Sequence, residues 1–187
     1  LSPKAALAGR IAFHYEAAGQ AELAFTSHRQ AAQLARQVYA SQEALFHLQH
    51  AIGLRDRVPA ATANLATLYT QLGEAHTSLG QHDEARHAFT AALNALPAAA
   101  PLPRAEILLK LAKSWLAHYE LEKARQLFEQ VAHLLGNPAH FTPTEWHIWL
   151  DSRLELFDVA YFAANMPQMA AMVSETEPVL VQHGNVR

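Results

Sequence analysis

YTQLGEAHTSLGQHDEARHAFTAALNALP, residues 69–97, is the stretch that decides the fold. Tyr69, Leu72, Gly73 and His76 recur at helical spacing. Gly80 interrupts the pattern, and Ala85, Phe89 and Ala92 resume it before Pro97. Two helices joined by a short turn follow from this. Gly73 and Ala85 are small where the helices cross closely, and Leu72 and Phe89 fill the space beside the crossing. Gly80 suits the left-handed residue that ends the first helix. Asp83 and Glu84 follow at the start of the second, where the helix dipole favours acid. Pro97 stops it.

Weaker copies lie on both sides. Leu108, Leu111, Ala112, Trp115, Ala124, Phe128 and Val131 repeat the offsets, with Tyr119 in place of the turn glycine. Ala12, Tyr15, Gly19 and Ala24 form an earlier pair, and His28, Ala32, Ala35, Tyr39, Ala44, Leu48 and Ala51 the next. Residues 20–39 therefore serve both pairs. Leu154, Phe157, Tyr161, Asn165 and Ala170 give a degenerate last copy. The anchor alanines fall at 24, 44, 85, 124 and 170, with proline-bearing connections at Arg55–Pro59, Pro97–Pro103 and Asn137–Pro143. The expectation is an all-α chain of about nine antiparallel helices, at 4–18, 20–39, 41–54, 60–79, 82–95, 104–118, 120–135, 143–164 and 166–183, with no strand.

Residues 66–135 resemble tetratricopeptide repeats, whose pattern is an aromatic-x2-Leu-Gly-x2-Tyr followed by Ala-x3-Phe and Pro. Tyr69 stands at the Trp position and His76 at the Tyr position. The resemblance implies an α–α superhelix, a single repeat domain over 1–187 with repeats near 5–38, 25–58, 66–99, 105–138 and 151–184. A broader likeness, carried by 11–19, Ala31-Ala32, 39–45, 79–81, Trp149-Leu150 through Met169-Ala170 and His183-Gly184, is to the C-terminal repeat region of bacterial multidomain signalling ATPases. It implies a cytoplasmic sensor or scaffold arm that binds a protein or a small inducer.

Composition excludes several classes. A net charge of −3 with neutral histidines gives no basic footprint for nucleic acid. The absence of cysteine rules out disulfides, thiolate metal sites and cysteine nucleophiles, and suits a cytoplasmic protein. No apolar run is long enough to span a membrane, and no signal peptide opens the chain. Because the sequence lacks an initiator Met, a piece of a longer protein is expected. None of the glycines forms a phosphate-binding loop or a nucleophile elbow, and no His-Glu-x2-His is present.

Twelve histidines are many for this length, so each pairing needs a reason. His47 and His50 share a helix face and could hold a metal, but a site needs further ligands and the sequence offers no obvious partner. They, with His82 and His87, are read as structural or solvated, and His76 as a packed aromatic substitute; no metal or cofactor is expected. The pairs Asp83/Glu84 and Glu120/Glu122 lie near helix starts and need no catalytic role. Trp115 is read as core, and Trp146 and Trp149, three apart at the start of helix 143–164, as packing on helix 120–135, with ligand stacking the alternative. The chain is expected to be no enzyme.

In a tetratricopeptide arrangement the first helix of each pair lines the concave surface. Its polar positions are Arg29, Gln33 and Arg36, then Thr70, Gln71, Glu74 and Thr77, then Lys110 and Lys113, and finally Glu155. These are the expected contacts for a protein or peptide partner or another domain of the same chain, with self-association open. A second reading is a small-molecule pocket rimmed by Arg29 and Arg36. Glu74 would repel a peptide's terminal carboxylate.

Overall fold

A computed structural model describes residues 3–183. The expected features at Leu1, Ser2 and Gly184 lie outside the described residues. Nine α-helices are described: α1 (Pro3–Ala17), α2 (Ala21–Gln37), α3 (Ser41–Gly53), α4 (Pro59–Ser78), α5 (His82–Ala95), α6 (Pro101–Leu116), α7 (Leu121–Leu135), α8 (Pro143–Phe162) and α9 (Met166–His183). A single 3₁₀ turn, Pro138–His140, precedes α8, and no strand occurs among the described residues. The largest departure from expectation is the start of α6. Pro101 and Pro103 both sit in its first turn, where the backbone N–H has no intrahelical partner and proline is tolerated. The Thr142 hydroxyl accepts from the Glu145 amide, while the Glu145 carboxylate accepts from the Thr142 amide at 2.8 Å, which fixes the start of α8.

Five helix-to-helix turns share one construction. The left-handed residues are Gly19, Tyr39, Gly80, Tyr119 and Ala164, with φ between 52° and 71°. In each turn the following amide donates to a carbonyl five residues back, from Gln20 to Tyr15, Ala40 to Ala35, Gln81 to His76, Glu120 to Trp115 and Asn165 to Ala160, at 2.9–3.1 Å. This closes otherwise orphaned helix-end carbonyls. Gly80 thus behaves as expected, and Tyr119 takes the glycine's conformation.

The turns set a common register. Five residues beyond the left-handed residue stand Ala24, Ala44, Ala85 and Ala124, all fully buried. Seven residues before it stand Ala12, Ala32, Gly73 and Ala112, also buried. A Cβ on Gly73 would lie 2.5 Å from the Phe89 ring, so this crossing admits hydrogen alone. The last hairpin breaks the rule: Phe157 and Met169 occupy the two small-residue places. Ala170, expected as the anchor, is exposed. The reason is at the turn. Ala164 is its left-handed residue, while Asn165 accepts a hydrogen bond from the Gln168 amide at 3.1 Å as a helix start.

The helices group into two compact units, Leu1–Ala95 and Leu96–Arg187. In the first, Phe25, Leu48, Ile52, Leu54, Val58 and Leu68 join the alanines in one buried core, with Tyr15, Leu45, Tyr69 and Leu72 packed against it. Each large side chain withdrawn from water contributes roughly 1.5–3 kcal/mol. In the second, Ile107, Leu108, Leu111, Phe128, Val131 and Leu156 are buried together with Trp146 and Trp149. Those two indoles meet edge to face at 5.6 Å. Trp115, expected in the core, is only half-buried, and the Lys123 ammonium covers its ring at 4.2 Å.

Candidate functional site

Two of the expected contact residues in the first unit, Arg36 and Glu74, are partnered with each other. Arg36 on α2 donates to Glu74 on α4, bridging consecutive first helices. Arg29 and Gln33 lie exposed two turns and one turn before Arg36. The Arg29 guanidinium sits 5.5 Å from the Phe25 ring. On α4, Thr70 donates its hydroxyl to the Ala66 carbonyl at 2.8 Å, and Thr77 does the same to Gly73 at 2.9 Å. Gln71 is half-buried. The Arg36–Glu74 pair also answers the expected repulsion by Glu74, whose charge is neutralised from within.

The second unit repeats this arrangement. Lys113 on α6 lies 3.0 Å from Glu155 and 3.5 Å from Asp151, both on α8. Burial would lower the Lys113 pKa, but the two carboxylates outweigh it and raise it. Lys110, half-buried, is one turn earlier. Of the expected basic contacts, Arg36 and Lys113 are therefore paired with acid. On the far side of α8, an apolar trough of about 480 Å³ opens between α8 and α9. Leu154, Phe157, Met172, Val173 and Leu180 are among its walls.

A cluster that sequence reasoning missed occupies the first three helices. Glu16 on α1, His28 on α2 and His47 and His50 on α3 converge. Glu16 Oε2 lies 3.0 Å from His28 Nε2 and 3.1 Å from His50 Nδ1. Nδ1 of His28 and Nδ1 of His47 are 3.0 Å apart, so one ring donates and the other accepts. The His28 and His50 rings stack with centroids 4.9 Å apart, and Phe13 meets each edge to face at 5.4 Å. His28 and His47 are buried, while Glu16 and His50 are about one-third exposed. The expectation that His47 and His50 lack partners is therefore corrected: Glu16 and His28 supply them from other helices. The signal was available in the repeat register, because His28 follows Ala24 by the same interval at which Phe89 follows Ala85.

Burial disfavours charge on the two enclosed imidazoles, His28 and His47. Burial pushes the His47 pKa down to about 4, helped by the neighbouring His28 and His50. Burial also lowers His28, against the pull of Glu16. Burial raises the Glu16 carboxyl, but the hydrogen bonds that it accepts from His28 and His50 hold it below its ordinary value. With His28 and His47 neutral, one hydrogen-bond scheme matches their shared contact. His47 Nδ1–H donates to His28 Nδ1, and His28 Nε2–H and His50 Nδ1–H both donate to the Glu16 carboxylate.

No family model and no curated protein matches the chain. Solved structures do. BtubC from P. vanneervenii aligns with a TM-score of 0.73 at 13% identity, over 89% of this chain and 67% of that one. The MamA protein aligns at 0.65 with 11% identity, over 100% and 97% of the two chains. A putative kinesin light chain with nearly identical TPR-like repeats, from Podosopora anserina, aligns at 0.63 with 17% identity, over 97% and 98%. At these identities the likeness establishes the fold: the chain is all-α, of the tetratricopeptide-like repeat kind.

Proposed function

We propose that this chain is a non-catalytic protein-interaction module that binds an extended partner along the polar faces of its first helices. The supporting observation is the cross-linking of consecutive first helices, α2 to α4 through Arg36–Glu74 and α6 to α8 through Lys113 with Glu155 and Asp151. Each bridge aligns two helix faces into a ledge within its own unit, bearing Arg29, Gln33 and Gln71 in the first and Lys110 in the second. Such rim pairs contribute at most about 1 kcal/mol each to stability. Their value to a binding surface is in holding side chains in register before a partner arrives. The resemblance to repeat arms of signalling ATPases suits a cytoplasmic regulatory role, with the partner a protein or another domain of the same polypeptide and no nucleic acid or membrane involved.

The test is recovery of partners on immobilised protein from an extract of the source cells, with the partner identified by mass spectrometry and its affinity then measured on purified components. Arg29→Glu, Gln33→Glu and Lys110→Glu combined should weaken that affinity at least tenfold while leaving the circular dichroism intact. Undiminished affinity in the triple variant contradicts the proposed ledge.

A small-molecule sensor is the second reading, and the trough between α8 and α9 favours it, since its 480 Å³ lies in the range of ligand pockets. Its walls call for a largely apolar compound rather than the anion that a pocket rimmed by Arg29 and Arg36 would take. A thermal-shift screen of apolar metabolites reads this directly, because a ligand that binds the native state alone raises the melting temperature.

A further inference from the structure

We infer that Glu16, His28 and His50 form a binding site for a divalent transition-metal ion, of which zinc is the best-suited example. The inference rests on the three-helix cluster and is independent of the partner-binding ledge. One donor atom from each residue lies within 4.8 Å of the others. In a tetrahedral zinc site with bonds of about 2.0–2.2 Å, neighbouring donors stand about 3.3 Å apart. The Glu16 oxygen is already 3.0 and 3.1 Å from the two imidazole nitrogens, and an ion would take its place between them once the part-exposed Glu16 carboxylate swings outward and the stacked His28 and His50 rings tilt toward each other. A ligand set of two nitrogens and one carboxylate oxygen, with no thiolate, selects a borderline ion such as zinc over a soft one.

The surroundings have the form of a metal site's outer shell. His47 touches His28 at the ring nitrogen that would not face the ion, which is the contact that orients a ligating imidazole. Phe13 and Phe46 pack on the rings, with the Phe46 and His50 centroids 4.6 Å apart. Outside, a cleft of about 370 Å³ reaches Glu16 and His50 and is walled by Phe46, Gln49, Leu54 and Arg57. It supplies an entry path and room for a water as fourth ligand, and Arg57 there favours a ligand of negative charge.

The proton balance closes without a change in net protonation. In the metal-free cluster, His28 carries its proton on Nε2 and His47 on Nδ1. On binding, the His28 proton moves to Nδ1 and donates to His47, whose own proton moves to Nε2. His50 shifts its proton from Nδ1 to Nε2. Each imidazole stays neutral and each ligating nitrogen offers a lone pair.

Isothermal titration of chelator-treated protein with zinc chloride tests the site. One saturable site per chain is expected, weakened at least tenfold by Glu16→Gln and by His50→Gln and unchanged by His118→Ala on the exposed α6–α7 turn. Both ligand variants change side chains that are about one-third exposed, and circular dichroism checks that they fold. A zinc-edge anomalous difference map of the unsubstituted protein needs no variant, and should place one peak between Glu16, His28 and His50. No saturable binding at 100 µM zinc, binding indifferent to both ligand variants, or anomalous peaks only at other histidines would each overturn the inference.

Discussion

In α5, the fourth residue after the anchor alanine is Phe89, and its ring lies against the bare backbone of Gly73. In α2, the fourth residue after the anchor alanine is His28, equally buried, and its ring is held by Glu16, His47 and His50. Both layers belong to the first unit and share one turn geometry and one alanine framework. The difference teaches that the repeat register fixes where a side chain goes but not what chemistry it brings. A phenyl ring there needs only volume. An imidazole there needs every ring nitrogen matched, because an unpaired buried polar group is expensive. The α1–α3 layer surrounds His28 on α2 with Glu16 from α1 and with His47 and His50 from α3.

Truncation should expose the contrast most sharply in the apolar layer. Phe89→Ala leaves a cavity against Gly73 and should cost about 3–5 kcal/mol, read as a shift in the urea midpoint at constant slope. A cost under about 1 kcal/mol would mean that the crossing is not close-packed.

Acid should separate the two layers next. With His47 held down to about 4 in the folded protein against 6.5 when unfolded, the unfolded chain takes up the proton first. Stability is therefore complete above pH 6.5 and is lost as pH falls toward 4, by up to about 3 kcal/mol for His47 alone. The lowered pKa of Glu16 acts in the same direction below about pH 4.5. Urea titrations of metal-free protein between pH 7.5 and 4.5 measure this, and His47→Leu should flatten the curve in that window. A profile that is level down to pH 5 speaks against a buried, neutral imidazole.

Much of this was readable from residues alone. Gly80 and Tyr119 mark turns by position, Pro59 and Pro143 open helices, and alternating small and large residues mark the crossings, all local signals. The imidazole cluster was not readable in the same way. Glu16 and His50 lie on α1 and α3 with the whole of α2 between them, and their convergence depends on how three helices pack rather than on any spacing within one. The shifted anchor in the last hairpin has a related cause. Ala164 adopts a left-handed conformation that alanine rarely takes, so sequence favours Asn165 for that place.

His28→Leu should cost about 1–3 kcal/mol by leaving the His47 nitrogen without a partner. In the double variant His28→Leu/His47→Leu the loss should shrink below about 1 kcal/mol, since removing both partners removes the mismatch. Equal losses in single and double variants would show that the cluster does not behave as a unit. The smallest effect concerns the turns. Tyr39 is 92% exposed at a φ of 57°, so it holds a left-handed conformation with little packing in return. Tyr39→Gly should raise stability by about 0.5–1 kcal/mol, whereas Gly80→Ala, in the same conformation, should lower it.

The most direct test of the polar layer is the coupling across the hydrogen bond between the two rings of His28 and His47, measured by nitrogen-15 NMR on metal-free protein at neutral pH. Their Nδ1 atoms, 3.0 Å apart, should show a resolved nitrogen–nitrogen coupling and a ring proton protected from exchange with water. Two uncoupled rings with freely exchanging protons would contradict a buried imidazole pair at the position that Phe89 holds in the next layer.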